Sequence, residues 1–138
     1  MKKPLKILIW VLGILILLAA GGTLAFRKLM AAADANMTAL AAAEIRQPDL
    51  SRIPDGTYTG EVSRFPLAVK VEVTMENHRI TRVNLIRHQN GQGGGAEILP
   101  ARIVETQRVD LDTVSGATYS SKAILTAVET ALTEAGGL

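Results

Sequence analysis

Residues 69–87 read VKVEVTMENHRITRVNLIR. Val69, Val71, Val73 and Met75 alternate with Lys70, Glu72, Thr74 and Glu76, the period of two expected for a strand with one buried face. Asn77-His78 supplies a tight turn, and residues 80–87 return with Val83 and Leu85 facing one way. Just upstream, Asp55-Gly56 signals a turn, and residues 57–64 are rich in Thr, Tyr and Val. Three short strands joined by short turns predict an antiparallel β-meander with one face toward solvent.

Helical signals follow the meander. Residues 88–95, HQNGQGGG, form a Gly-rich loop, read either as a plain connector or as backbone able to reach a ligand. Ile98, Leu99, Ile103 and Val104 then mark the apolar side of a helix, in which Pro100 fits the first turn and no later one. A final helix is predicted over residues 120–134. Its apolar stripe is Ile124, Val128, Ala131 and Leu132, with Leu125 beside it, and Gly136-Gly137 stops it.

The N-terminal part has a different character. Residues 7–26 carry no charge, and 20 helical residues span about 30 Å, the thickness of a hydrocarbon core. Lys2, Lys3 and Lys6 precede this stretch, and Arg27 and Lys28 follow it. The excess of positive charge on the N-terminal side predicts that the rest of the chain is exported. A cleaved signal peptide is the alternative, with Ala19-Ala20-Gly21 or Thr23-Leu24-Ala25 at the cleavage site. The retained anchor is favoured because the apolar run continues past the first of these sites and ends in basic residues. Residues 29–45 are Ala-rich and read as a helical stalk, which Pro48 and Pro54 interrupt. The expected fold class is therefore α+β: an antiparallel β-meander packed against two or more helices, preceded by one N-terminal transmembrane helix. The expected organisation is an anchor over 1–28, a stalk and linker over 29–50, and a folded domain over 51–138.

Composition excludes several functions. The chain has no Cys, which removes disulfides, thiolate-held iron–sulfur clusters and c-type haem. Two His residues are too few for a convincing metal site. The sequence pI near 9.2 comes from the anchor's flanks, because from Leu29 onward ten basic residues face thirteen acidic ones. A net charge of −3 argues against a nucleic-acid partner and leaves the basic N-terminus to meet anionic lipid in the bilayer.

Residues 112–121, DTVSGATYSS, place hydroxyls and a glycine just before the last helix. Taken alone, these are capping residues, each able to satisfy an orphan N–H. A helix N-terminus is also an anion site, and Gly116 permits positive φ or close approach to a ligand. Lys122 could add charge near a bound phosphate, though a solvated lysine is the simpler reading.

The phrase resembles the flavinylation motif of the FMN-binding domain family, Asp-x-x-Ser/Thr-Gly-Ala-Ser/Thr. DGTYTGEV at 55–62 is similar to that family's first strand, the 70–86 segment to its central hairpin, and 96–132 to its helix, motif and closing helix. The resemblance implies FMN joined to Thr118 by a phosphoester. Asp112, Ser115, Gly116 and Ala117 would present the hydroxyl to a flavin transferase. Tyr119 is the first candidate to stack on the flavin ring and Tyr58 the second. No catalytic base and no metal ligand need be sought in the chain. Family members that serve in sodium-pumping or Rnf-type complexes carry a Glu-Thr-Pro-Gly segment where this chain has residues 88–95. That departure favours a stand-alone, membrane-tethered member.

The function expected on this basis is electron transfer between a membrane electron donor and an exported acceptor, by a single-pass protein of the cell membrane whose C-terminal domain is extracytoplasmic. The alternatives are a small FMN-dependent reductase with its own substrate, and a flavin-free structural module of the same fold.

Overall fold

The computed structural model describes residues 3–89 and 94–136. It divides into two compact units, Met1–Ala35 and Asn36–Leu138. The described part of the first unit lies within a single helix, α1 (Lys3–Ala42), which is long and apolar enough to cross a membrane. Its side chains from Leu5 to Met30 are exposed, Trp10 and Leu17 among them.

The second unit holds a three-stranded antiparallel sheet in the order β1-β2-β3: β1 (Gly56–Arg64), β2 (Leu67–Glu76) and β3 (Arg79–Gln89). Helices α2 (Leu99–Thr106) and α3 (Thr118–Glu134) pack against it, α3 on β1 and β2, α2 on β3. The expected α+β class, an antiparallel meander packed against helices, is the one found, and the helix ahead of it is a possible membrane span. Val69, Val71, Val73 and Met75 are fully buried, as are Ile124, Leu125, Val128 and Leu132 of α3. Asn77 and His78 adopt φ 52° and 59°, the two positive values of a two-residue type I′ hairpin turn closed by the Glu76–Arg79 pair.

The return strand departs from simple alternation. Met75 pairs with Ile80, Val73 with Val83, Val71 with Leu85 and Val69 with His88, so β3 carries one extra residue between the first two of these pairs and one between the last two. Each is a bulge that returns the strand to core register. Strict alternation from Ile80 would turn Arg82 and Asn84 inward. The bulges leave Arg82 and Asn84 exposed, together with Thr81 and Ile86.

Gly60 sets how closely α3 approaches the sheet. A Cβ built there would lie 1.8 Å from the carbonyl oxygen of Ala127 and 2.9 Å from the nitrogen of Ala131. Only a residue without a side chain lets the helix backbone rest directly on β1. At the far end of α3, Gly136 takes φ 108° and its N–H donates to the Thr133 carbonyl, 3.1 Å, ending the helix. Gly137 lies outside the described residues.

Two glutamine amides act as short strands. Gln107, left-handed at the C-cap of α2 with φ 58°, accepts from the Ile80 N–H at 2.8 Å and donates to the Ile80 carbonyl at 2.8 Å. Gln47 accepts from the Val109 N–H at 2.7 Å and donates to the Gln107 carbonyl at 3.3 Å. The connector from α2 to α3 is thereby held on both sides. The end of α1 also belongs to this unit: Leu40 is buried in the core cluster, and Met37 and Ile45 pack against it.

Candidate functional site

The motif residues occupy one turn and the start of one helix. The Ala117 N–H donates to the Val114 carbonyl at 3.0 Å, closing a four-residue turn in which Gly116 has φ 79°. A Cβ on Gly116 would meet nothing within 4 Å, so the glycine is required by conformation and not by space. Ser121 fixes this turn to the helix. Its buried hydroxyl donates to the Ala117 carbonyl at 2.7 Å and accepts from the Val114 N–H at 3.0 Å.

The capping reading is corrected here. The N-cap is Ala117, with no side-chain cap hydrogen bond. Ser115 is exposed, Ser120 is buried, and Ser121 braces the turn. The first-turn N–H groups of Thr118, Tyr119 and Ser120 have no partner inside the helix by construction, and among the described residues no side chain caps it. A 17-residue helix thus presents its positive end uncapped, beside the exposed Thr118 hydroxyl. Asp112, Ser115, Gly116 and Tyr119 are exposed around it; Ala117 points inward and is buried.

The C-terminal end of the Gly-rich loop packs on this turn. Residues Gly94–Ile98 form a 3₁₀ turn, and a Cβ on Gly95 would lie 3.7 Å from Val114 and 3.9 Å from Ala117. The rest of the loop, residues 90–93, lies outside the described residues. Ile98 was expected on the buried stripe of α2. It instead sits one residue ahead of that helix and is 45% exposed, while Tyr119 is 47% exposed. The two elements that meet at the motif therefore each offer a large apolar side chain to solvent, a surface suited to a flat apolar group. Nothing in the hydrophobic pattern distinguishes Ile98 from the buried Leu99.

Other candidates fall elsewhere. Tyr58, the second aromatic considered, donates its hydroxyl to the Pro54 carbonyl at 2.9 Å, at the end of β1 beside the hairpin turn. Lys122 is half-buried and turned away from the motif: its Nζ donates to the Ala43 carbonyl at 2.6 Å, just past the last residue of α1. Arg108 makes a two-pronged contact to Asp110, at 2.9 and 2.6 Å. The hydrogen bond from Arg108 holds the Asp110 carboxyl below its ordinary range, against a smaller opposing effect of burial. Sequence reasoning saw no partner for His88, whose Nδ1 lies 3.1 Å from Glu97 Oε1. Among the described residues no group of three or more His, Asp or Glu is placed to hold a metal ion.

An FMN phosphate fits this arrangement: uncapped N–H groups, a positive φ glycine, an exposed hydroxyl and an apolar flank. Comparison with known proteins agrees. Residues 66–133 match the family model of the FMN-binding domain, from the start of β2 to the last turn of α3. The 55–62 segment, likened above to the family's first strand, lies outside the matched span. The chain is also 34% identical over 122 residues to a urocanate reductase of Eggerthella lenta, a match covering 86% of this chain and 19% of that protein. The chain thus spans about a fifth of that relative's length. The motif at the head of α3, the meander that supports it and the matched span together make this chain a member of the FMN-binding domain family.

Proposed function

We propose that Thr118 carries FMN through a phosphoester and that the chain is a membrane-tethered electron carrier. The observation that carries this reading is the head of α3, whose N-cap residue Ala117 makes no side-chain cap bond and whose first residues, Thr118 and Tyr119, are exposed. A threonine hydroxyl is a weak nucleophile and needs a base or a metal beside it. In this reading a separate flavin transferase supplies that group.

In this reading the chain's residues present and hold. The turn closed by Val114 and Ala117 projects Thr118 outward, and Gly116 supplies the positive φ that makes the turn. Ser121 keeps turn and helix in one piece. Asp112 and Ser115 stand exposed for the transferase to read. The first-turn N–H groups receive the phosphate oxygens, and Tyr119 and Ile98 flank the ring. The bound flavin supplies one- and two-electron redox chemistry.

The apolar α1 holds the cofactor at a membrane, and the charge asymmetry around it supports an extracytoplasmic domain. Tethering raises the effective concentration of the flavin toward membrane partners. Electrons enter from a membrane donor and leave to an exported acceptor. The likeness to a fifth of a urocanate reductase supports a module that serves a reductase over a whole reductase.

The full chain, made in detergent with a flavin transferase and reduced with dithionite, is expected to hold its electrons until a protein acceptor is supplied. Steady turnover of a small acceptor by the purified chain alone would instead assign it as a self-sufficient reductase.

A further inference from the structure

One titratable couple beside the motif has no part in presenting Thr118. His88, near the end of β3, pairs with Val69 in the sheet register, and its side chain is only 4% exposed. Its Nδ1 lies 3.1 Å from Oε1 of Glu97, whose side chain is 55% exposed. Glu97 belongs to the Gly94–Ile98 turn, two residues from the glycine that packs on Val114 and Ala117. The couple therefore leads from the core side of the sheet to solvent, alongside the turn that carries Thr118.

The surrounding charges are otherwise engaged or exposed. Arg87 pairs with Glu61 at 3.1 Å on the outer face, where Lys70 lies between them in the register. Arg102 and Glu105 of α2 are exposed, as is Asp112 of the motif. Lys122 of α3 is bound to the Ala43 carbonyl, and Glu129 and Glu134 lie in that helix's C-terminal half. The carboxylate in contact with the imidazole is that of Glu97.

We infer that the His88–Glu97 couple is proton-linked to the redox state of a flavin on Thr118, binding a proton when electrons enter. The inference rests on the proposed function above. Imidazole is the side chain whose charge changes near neutral pH, and a shielded imidazole feels added negative charge with little screening. Two electrons pass from an external donor, which is oxidised by two electrons. One proton from solvent accompanies them onto the ring, and a second passes from solvent by way of the exposed Glu97 to His88.

The test is a dithionite titration of the FMN-loaded full chain in detergent across pH, for wild type, His88→Asn and Glu97→Gln. Between about pH 5 and 8 the wild-type midpoint potential is expected to fall about twice as steeply with pH as that of His88→Asn, one added proton per electron pair. Glu97→Gln alters an exposed side chain, so it keeps the test open if His88→Asn fails to fold; it is expected to displace the pH at which the slope changes. An independent readout is the His88 ring resonance, expected to titrate at higher pH in the reduced protein than in the oxidised one. Equal slopes in wild type and both variants, or equal His88 midpoints in the two redox states, overturn the inference and leave covalent FMN standing. A chain without flavin after denaturing electrophoresis overturns the proposed function, and this inference with it.

Discussion

The two ends of α3 are finished differently. Its C-terminal end lies beside the hairpin turn, where polar groups are tied off. Asp55 accepts the Asn77 N–H at 2.7 Å, His78 Nδ1 lies 3.2 Å from the Ile53 carbonyl, Tyr58 binds Pro54, and Gln107 binds both backbone groups of Ile80. Among the described residues no side chain caps its N-terminal end, where Asp112, Ser115, Thr118, Tyr119 and Ile98 are exposed. One end is built for stability, the other for access. A capping serine at Ala117 would stabilise the helix by about 1 kcal/mol; its absence keeps the N–H groups available.

This contrast can be broken by mutation, and the largest effect is expected beneath the helix. Gly60→Ala drives a methyl into the backbone of α3 and should cost about 3 kcal/mol or more, because the atoms it meets are main chain and cannot rotate away. Urea unfolding of the full chain measures this; a loss under 1 kcal/mol would show that α3 shifts freely on the sheet. Next, Gln107→Ala should cost about 2 kcal/mol, since both Ile80 backbone groups lose their partner. Hydrogen exchange at the Ile80 amide should rise in that variant and stay unchanged at Val71.

Smaller effects are expected at the motif. Ser121→Ala leaves the Val114 N–H without its acceptor and should cost about 1 kcal/mol. Because the lost contact holds the presenting turn, flavin loading should fall by more than global stability does, read as fluorescence per mole of folded protein. The smallest effect is on acid stability. Asp110 has its folded pKa depressed by Arg108, so its contribution is present above the ordinary carboxylate range and lost as pH falls through the folded value. The melting temperature of Asp110→Asn should therefore equal wild type at the acid extreme and lie slightly below it at neutral pH.

The sequence carried the periodic parts of this molecule. Alternating Val69–Met75 could only be a half-buried strand, and the Ile124–Leu132 stripe only a helix face, because burial imposes those periods. The bulges of β3 were not legible: both inward registers of residues 80–88 contain apolar residues, and α2 decides between them. Gln47 and Gln107 were illegible for another reason. A glutamine replacing a strand's hydrogen bonds looks like any surface glutamine until the chain folds back on it. At the site, the position of the motif at the head of α3 was readable, whereas its missing cap, the exposed Ile98 and the His88–Glu97 contact depend on how the 94–98 turn packs.

The central claim is that the uncapped head of α3 holds FMN on Thr118. It is tested most directly by in-gel flavin fluorescence after denaturing electrophoresis of the full chain co-expressed with a flavin transferase, beside Thr118→Ala. Thr118 is exposed, so that variant should fold with wild-type stability to within about 0.5 kcal/mol. A fluorescent wild-type band and a dark variant are the predicted result. A dark wild-type band, or a variant as bright as wild type, would contradict the claim.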